Sequence, residues 1–304
     1  MNQRVAITGV SGFIGRHVAD HLAARGTRVV PVRRPFDAAA LAHTLGGADA
    51  VVHLAGVVSA LRDGDYFVAN VEGTRAVARA ARAAGVPIVS ISSLAAAGPA
   101  SPRAPRSEDD PSTPITAYGR SKLEGEGAVA SIEGLRWTIL RPGVVYGPGD
   151  RALLPVFKLA ARGVMPLVGR PDAAYTFIHV TDLVRAITAA IDSPAVGDTI
   201  FVGHPTPVTP RDLLEEVRRA AGGRAAIRRV PMALTRLAAL AGDVEGLMRG
   251  RPAVINSRRY SELASEGFVC RVDRLRDRMG IVAHIDLKEG LAGTVEWYRR
   301  NGWL

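Results

Sequence analysis

Apolar and polar positions alternate between two rhythms along the first half of the chain. Short apolar runs at 4–8, 28–32, 50–54 and 86–91 predict strands. They are apolar nearly throughout, as strands of a sheet covered on both faces must be. Between the first two runs, residues 13–25 place Ile14, Val18 and Leu22 four apart. That spacing predicts a helix, closed by Gly26 in the position after a helix end that glycine favours. Residues 61–84 read as a long alanine-rich helical region closed by Gly85. Strands that alternate with helices imply right-handed crossovers and a parallel sheet.

The rhythm breaks at 97–116. This stretch carries Pro99, Pro102, Pro105, Pro111 and Pro114 and the acidic patch Glu108-Asp109-Asp110. It reads as a long loop with a mobile tip, and a loop of that length inside a compact domain is usually functional or disordered. A helix follows at 118–132 and a strand at 137–140. Further elements are a helix at 182–191, a strand at 199–202, a helix at 210–221 and a C-terminal helix ending in Trp297-Tyr298. The predicted class is α/β, a doubly wound parallel Rossmann sheet with a smaller C-terminal α/β substrate lobe. The dinucleotide-binding domain is expected over 1–165 with 178–203 returning to it, and the lobe over 204–304 with 166–177.

Composition narrows the picture. Apolar residues make up 47% of the 304 positions, a globular value. Cys270 is the one cysteine, so no intrachain disulfide is possible, which fits a reducing compartment. No charged-then-apolar leader precedes the first strand, and no apolar run approaches the ~18–20 residues that span a bilayer. A cytoplasmic protein with no membrane partner is expected. The net charge of +10 comes almost wholly from arginine spread along the chain; the lysines are Lys122, Lys158 and Lys288. With aromatics at 5% and no basic run interleaved with them, the charge does not mark a nucleic-acid partner.

The first chemical motif is Thr8-Gly9-Val10-Ser11-Gly12-Phe13-Ile14-Gly15, between a strand and a helix. Gly9 allows a tight turn, Gly12 lets a pyrophosphate approach the backbone, and Gly15 lets helix and strand pack closely. Phosphates there meet free N–H groups and the positive end of the helix dipole. A dinucleotide is therefore the expected ligand. At the end of the second strand, where a carboxylate would bond the ribose 2′-hydroxyl and select NAD, the chain has Arg33-Arg34. A guanidinium fork suits a 2′-phosphate, so NADP is expected over the alternative, NAD. The stretch from Arg34 to the third strand is short, which implies an unusually built adenine pocket.

The second motif is Tyr118-Gly-Arg-Ser-Lys122. Residues four apart share a helix face. An ammonium beside a phenol favours phenolate and lowers its pKa, and a phenol so tuned can transfer a proton near neutral pH. Ser92-Ser93 lies just past the fourth strand, at the sheet edge where functional loops gather, and a hydroxyl there can polarise a substrate carbonyl.

With these motifs in hand, the chain resembles the extended short-chain dehydrogenases/reductases, the NAD-dependent epimerase/dehydratase superfamily. The matching stretches are Thr8 to Gly15, 49–56, 70–74, 90–93, Tyr118 to Lys122, 141–150 and 177–182, in family order. Counting back from Gly98, the resemblance puts the catalytic serine at Ser93, with Tyr118 as proton donor and Lys122 lowering its pKa and holding the ribose. Ala97 stands where the family often has tyrosine. The resemblance also implies Leu54, Ala55 and Gly56 beside the adenosine half of the cofactor, and Pro142, Val144 and Val145 beside the nicotinamide. Asn70 either closes the helix that carries part of the proton relay or supports structure.

Departures from the family point to the substrate. Members acting on nucleotide-diphosphate sugars carry an arginine before the Phe-Ile-His-Val segment; here the positions hold Tyr175-Thr176. A diphosphate would lose a charge-assisted contact of roughly 1.5–3 kcal/mol, unless Arg170 substitutes. Residues 232–248 are apolar and 153–168 add bulk, as a pocket for a flat or greasy carbonyl compound would be. The reading is NADPH-dependent reduction of a small apolar carbonyl substrate. Its alternatives are a sugar-nucleotide epimerase or dehydratase with tightly held NAD, and a non-catalytic Rossmann binding protein. A homodimer packed through alanine-rich faces at 69–84 and the Tyr-Lys helix is also implied. His53, His179 and His204 are isolated in sequence, as structural rather than metal-binding histidines are.

Overall fold

Six parallel strands form the central sheet of a computed structural model: β1 (Arg4–Thr8), β2 (Arg28–Val32), β3 (Ala50–His53), β4 (Ile88–Ile91), β5 (Trp137–Pro142) and β6 (Asp198–Val202). Their order is β2-β1-β3-β4-β5-β6. The structure describes residues 3–194 and 197–304; Met1, Asn2, Ala195 and Val196, which fall inside the expected dinucleotide-binding domain, lie outside the described residues. From β1 the chain steps outward to β2 and returns on the other side to β3. The topological switch point therefore lies between the C-terminal ends of β1 and β3, where open α/β sheets bind ligands.

Five helices cover the sheet: α1 (Phe13–Ala24), α2 (Ala38–Leu45), α3 (Gly73–Ala84), α4 (Ala117–Ala130) and α5 (Val180–Asp192). Strand side chains alternate between two cores, as a pleated backbone requires. Val5, Ile7, Val52 and Leu140 pack with Val18 and Leu22 of α1 and Leu183 and Ile187 of α5. Ala6, Val51, Ile88 and Ile139 pack with Leu41 and Leu45 of α2, Val77 and Ala81 of α3 and Val129 of α4.

Three local expectations change. Helix α2 fills the short stretch before β3; its N-terminus is capped by Asp37, which accepts the N–H groups of Ala39 and Ala40. The region expected as one helix over 61–84 is interrupted by a π-helical turn, Val68–Glu72, ahead of α3. The proline-rich loop is fastened rather than free. Ala100 and Arg106 bridge to Phe268 and Cys270. Glu108 accepts the N–H of Phe201 on edge strand β6 at 2.9 Å, and Arg274 pairs with Asp109 at 2.7 Å. The physical reason is that β6 leaves an unpaired sheet edge, and Glu108 of the acidic patch supplies an acceptor for it.

A separate core joins Leu153, Phe157, Met165 and Phe177 to Leu214, Val217, Leu291, Val295 and Tyr298. The bulk at 153–168 is thus packing, not pocket wall. The C-terminal aromatics serve the same core: Tyr298 donates its hydroxyl to the Asp150 carbonyl at 2.5 Å and stacks on Trp303. The apolar stretch 232–248 forms helix Met232–Arg249, whose large side chains point away from the protein. Small residues occupy its inward face, so most of the bulky ones are left facing outward.

Candidate active site

The glycine turn stands at the switch point. Gly9 has φ +71°, and a Cβ there would lie 2.9 Å from the Ala55 nitrogen; only glycine permits this turn. A Cβ on Gly15 would lie 2.2 Å from the Gly9 carbonyl oxygen, so helix α1 closes onto the turn. Gly12 caps α1 with no side-chain hydrogen bond and no acid in the first turn. Ser11 and Gly12 are exposed while Phe13 and Ile14 are half-buried. Open N–H groups at a helix N-terminus, beside a backbone without a Cβ, fit a dinucleotide pyrophosphate. Arg33 and Arg34 are exposed past β2, and neither has an ion-pair partner among the described residues.

Buried polar groups hold β3 to this turn. The Thr8 hydroxyl accepts from the N–H groups of Leu54 and Ala55, both at 3.1 Å, and so donates to Nδ1 of His53 at 2.9 Å. Nε2 of His53 then donates to Thr74. Burial, with the charges of Lys122 and Arg34, pushes His53 down to about 3, so the ring is neutral. Asn70, on the π-helical turn, bonds Val57 through both amide ends and donates to Ser121 on α4 at 3.0 Å. Its amide is committed to locking the loop after β3 onto α4.

Ser93, Tyr118 and Lys122 converge past β4. Ser93 accepts the N–H of Ala95, and its hydroxyl lies within hydrogen-bond reach of Tyr118. Tyr118 and Lys122 lie one turn apart on α4. The lysine does not tune the tyrosine as expected. Burial pushes the Tyr118 phenol up to about 12, the hydrogen bond with Ser93 pulls down, and Glu262 and Tyr66 push up. Nζ of Lys122 donates to the Ile91 carbonyl at 2.7 Å and lies 3.9 Å from the position of a Cβ on Gly56. Its charge is spent there, and burial, opposed by Glu126, lowers Lys122 to about 8.

These directions fix a pH profile. A phenol near 12 stays protonated through neutral pH, while the ammonium is lost at about 8. Since kcat/KM reports groups of the free enzyme, reduction is expected to be flat through neutral pH and to fall above about 8 as Lys122 discharges. In Lys122→Arg the break moves up, because guanidinium keeps its charge. A break that stays put in that variant assigns it to another group.

Sequence reasoning missed the polar cluster beneath these residues. Glu126 accepts two hydrogen bonds from Arg141, at 2.9 and 2.6 Å, and one from Ser92. Arg141 also reaches Ser112 in the proline-rich loop. The side chains of Arg141 and Glu126 are only 7% and 8% exposed. The signal was available: Glu126 lies four residues beyond Lys122 and eight beyond Tyr118, on the same helix face.

Residues from both halves of the chain surround Tyr118. Tyr66 packs 6.0 Å from Tyr118, and Arg258 lies over Tyr66 while bonding the carbonyls of Ala60 and Leu61 and the carboxylate of Asp63. Glu262 acts on the phenols of both Tyr118 and Tyr175. Tyr175 is half-buried against Phe268, and its hydroxyl is buried without a partner. Arg170, the candidate substitute for a diphosphate-binding arginine, forks onto Asp172. Strand Val144–Tyr146 pairs with Phe177–His179, setting Val144 and Val145 just beyond Pro142 at the end of β5. His179 caps α5, His204 accepts the N–H of Thr206, and Cys270 is buried against Thr176.

Comparison with known proteins agrees with this geometry. A sequence model of the "NAD dependent epimerase/dehydratase family" matches residues 5–203. The chain is 29% identical to a ceramide reductase of Caulobacter vibrioides, over 99% of this chain and 96% of that one. It is 27% identical to a 4-hydroxy-2-methyl-3-oxo-4-farnesyl-3,4-dihydroquinoline-1-oxide ketoreductase of Stigmatella aurantiaca, over 79% of this chain and 80% of the other. Among solved structures, MoeE5 in complex with UDP-glucose and NAD is 26% identical with a TM-score of 0.78, covering 98% of this chain and 99% of that one. The fold is also shared with dTDP-glucose 4,6-dehydratase of Streptomyces venezuelae, at 23% identity and a TM-score of 0.81, over 99% and 98% of the two chains.

Proposed function

The chain belongs to the NAD dependent epimerase/dehydratase family, and from that premise we propose that it is an NADPH-dependent reductase of a carbonyl group on an apolar small molecule. The observation that carries the reading is the convergence of Ser93, Tyr118 and Lys122 past β4, on the edge that also presents the open glycine turn. The turn and the N-terminus of α1 would hold the pyrophosphate, Arg33 and Arg34 the 2′-phosphate, and Lys122 the ribose. A bound NADPH supplies the hydride. Ser93 donates a hydrogen bond to the substrate oxygen. Tyr118, protonated in the free protein, hands its hydroxyl proton to that oxygen as it gains charge. Lys122, anchored on the Ile91 carbonyl, would keep its ammonium at the ribose.

Support for an apolar rather than a sugar-nucleotide substrate comes from Tyr175 and from the engagement of Arg170 by Asp172. Two relatives are reductases named for ceramide and for a farnesyl-bearing dihydroquinoline oxide, both rich in hydrocarbon. The rival reading, a sugar-nucleotide epimerase or dehydratase with tightly held NAD, draws on MoeE5. We draw the substrate lobe as 204–304 with 166–177, and assign 153–165 to its core as well. We also take the enzyme to be a cytoplasmic homodimer joined through α3 and α4; a monomer by light scattering would count against this.

Titration with NADPH and NADH is the test. NADPH is expected to bind about tenfold to a hundredfold tighter, the worth of one charge-assisted contact of roughly 1.5–3 kcal/mol. Arg33→Ala/Arg34→Ala should erase the preference. Preference for NADH, NAD retained through purification, or a melting shift with a UDP- or dTDP-sugar would favour the epimerase reading.

A further inference from the structure

Helix Met232–Arg249 is built inside out. Its buried positions are Thr235, Ala239, Gly242 and Gly246, and the helix sits so close to the chain beneath it that a Cβ on Gly242 would lie 2.0 Å from the Ile255 carbonyl oxygen. Its outward positions are Leu234, Leu237, Leu240, Val244 and Leu247, between 51% and 73% exposed, with Met248 at 82%. At 3.6 residues per turn these fall within an arc of about 140° opposite the small residues. A surface helix of a soluble protein ordinarily turns its polar face outward. Exposed Val254, just past the helix, extends the apolar face.

We propose that this face docks on the surface of an anionic lipid bilayer, with the helix lying in the interface. Three observations choose this occupant. Basic side chains flank it: Arg236 and Arg251 are exposed with no ion-pair partner among the described residues, while Arg249 pairs with Glu245 and half-buried Asp243 accepts from Ser257. The chain as a whole carries +10. Apolar residues flanked by arginines suit a negatively charged lipid surface. The third observation is position. A cavity of about 280 Å³ between Leu61, Asp63, Gly246, Leu247, Ala253 and Arg258 joins the end of the helix to the loop before Tyr66, the neighbour of Tyr118. The face therefore borders the approach to the catalytic tyrosine, where a membrane-dissolved substrate would arrive.

The seat is superficial, because no helix among the described residues is long and apolar enough to cross a membrane. This revises the expectation of no membrane partner, which rested on the want of an apolar run long enough to span a bilayer. The purpose of such a seat rests on the apolar-substrate reading; its test does not.

Flotation with phosphatidylcholine vesicles, with and without phosphatidylglycerol, tests it. The protein should float with the anionic vesicles, bind the neutral ones weakly, and release as salt rises. Leu237→Gln/Leu240→Gln/Leu247→Gln should weaken binding by at least about tenfold, with circular dichroism and NADPH affinity unchanged. Arg236→Gln/Arg251→Gln should weaken it about tenfold on anionic vesicles alone. Wild-type protein that stays unbound overturns the proposal, as does a triple leucine variant that floats as well as wild type. Unbound protein whose dimer dissociates on the leucine substitutions makes a second copy the occupant. Flotation needs no turnover, so its failure leaves the reductase reading standing, and loss of that reading leaves flotation unchanged.

Discussion

Tyr118→Phe should lower turnover at least about a hundredfold, roughly 2.7 kcal/mol of barrier, and leave NADPH affinity unchanged. The substitution removes one hydroxyl and little else. The phenyl ring that remains would keep the packing of Tyr118 against Tyr66, 6.0 Å away. The glycine turn and the arginines past β2, which carry the cofactor in the proposal, are on other elements. Ser93 can still donate to the substrate oxygen, and it still accepts the Ala95 N–H. What is lost is the proton that the proposal transfers, held at a phenol pushed up to about 12 by burial. Single-turnover oxidation of NADPH followed by absorbance, beside an equilibrium titration, separates the two quantities. Unchanged turnover removes Tyr118 from the mechanism; lost NADPH affinity would show that the phenol serves the cofactor instead.

Much of this site was legible because the chemistry lies in contiguous motifs. Gly9, Gly12 and Gly15 declare a turn by their spacing, and Tyr118 and Lys122 declare a shared helix face. The sheet was legible because β1, β3 and β4 are buried almost throughout and carry few polar positions to confuse the pattern. Helix α2 was hidden by its shortness: eight residues rich in alanine carry little periodicity, and its cap, Asp37, is one residue. The tuning of Tyr118 was misread because sequence proximity says nothing of where an ammonium points; Ile91, thirty-one positions earlier, takes it. Helix Met232–Arg249 misled for a related reason. A leucine stripe at helical spacing shows an apolar face, and only packing tells whether that face looks in or out.

Arg141→Met should destabilise the fold by about 3–5 kcal/mol, and Glu126→Leu added to it should restore most of the loss. The pair joins β5 to α4, and its extensions to Ser92 and Ser112 reach the end of β4 and the proline-rich loop. With both side chains more than nine-tenths buried, desolvation offsets most of their attraction, so the intact pair adds little net stability. Removing one partner is different: Glu126 would be left buried with only the Ser92 hydroxyl of its side-chain bonds. Removing both exchanges the pair for hydrocarbon of similar size, leaving two serines short of a partner, one buried and one half-buried. Urea unfolding checks this through midpoints at unchanged slope. A single variant within about 1 kcal/mol of wild type would mean the pair is not held as tightly as its geometry implies. A double variant as unstable as the single would mean that the cluster contributes through Ser92 and Ser112, and hence through the loop beside Ser93, rather than through charge.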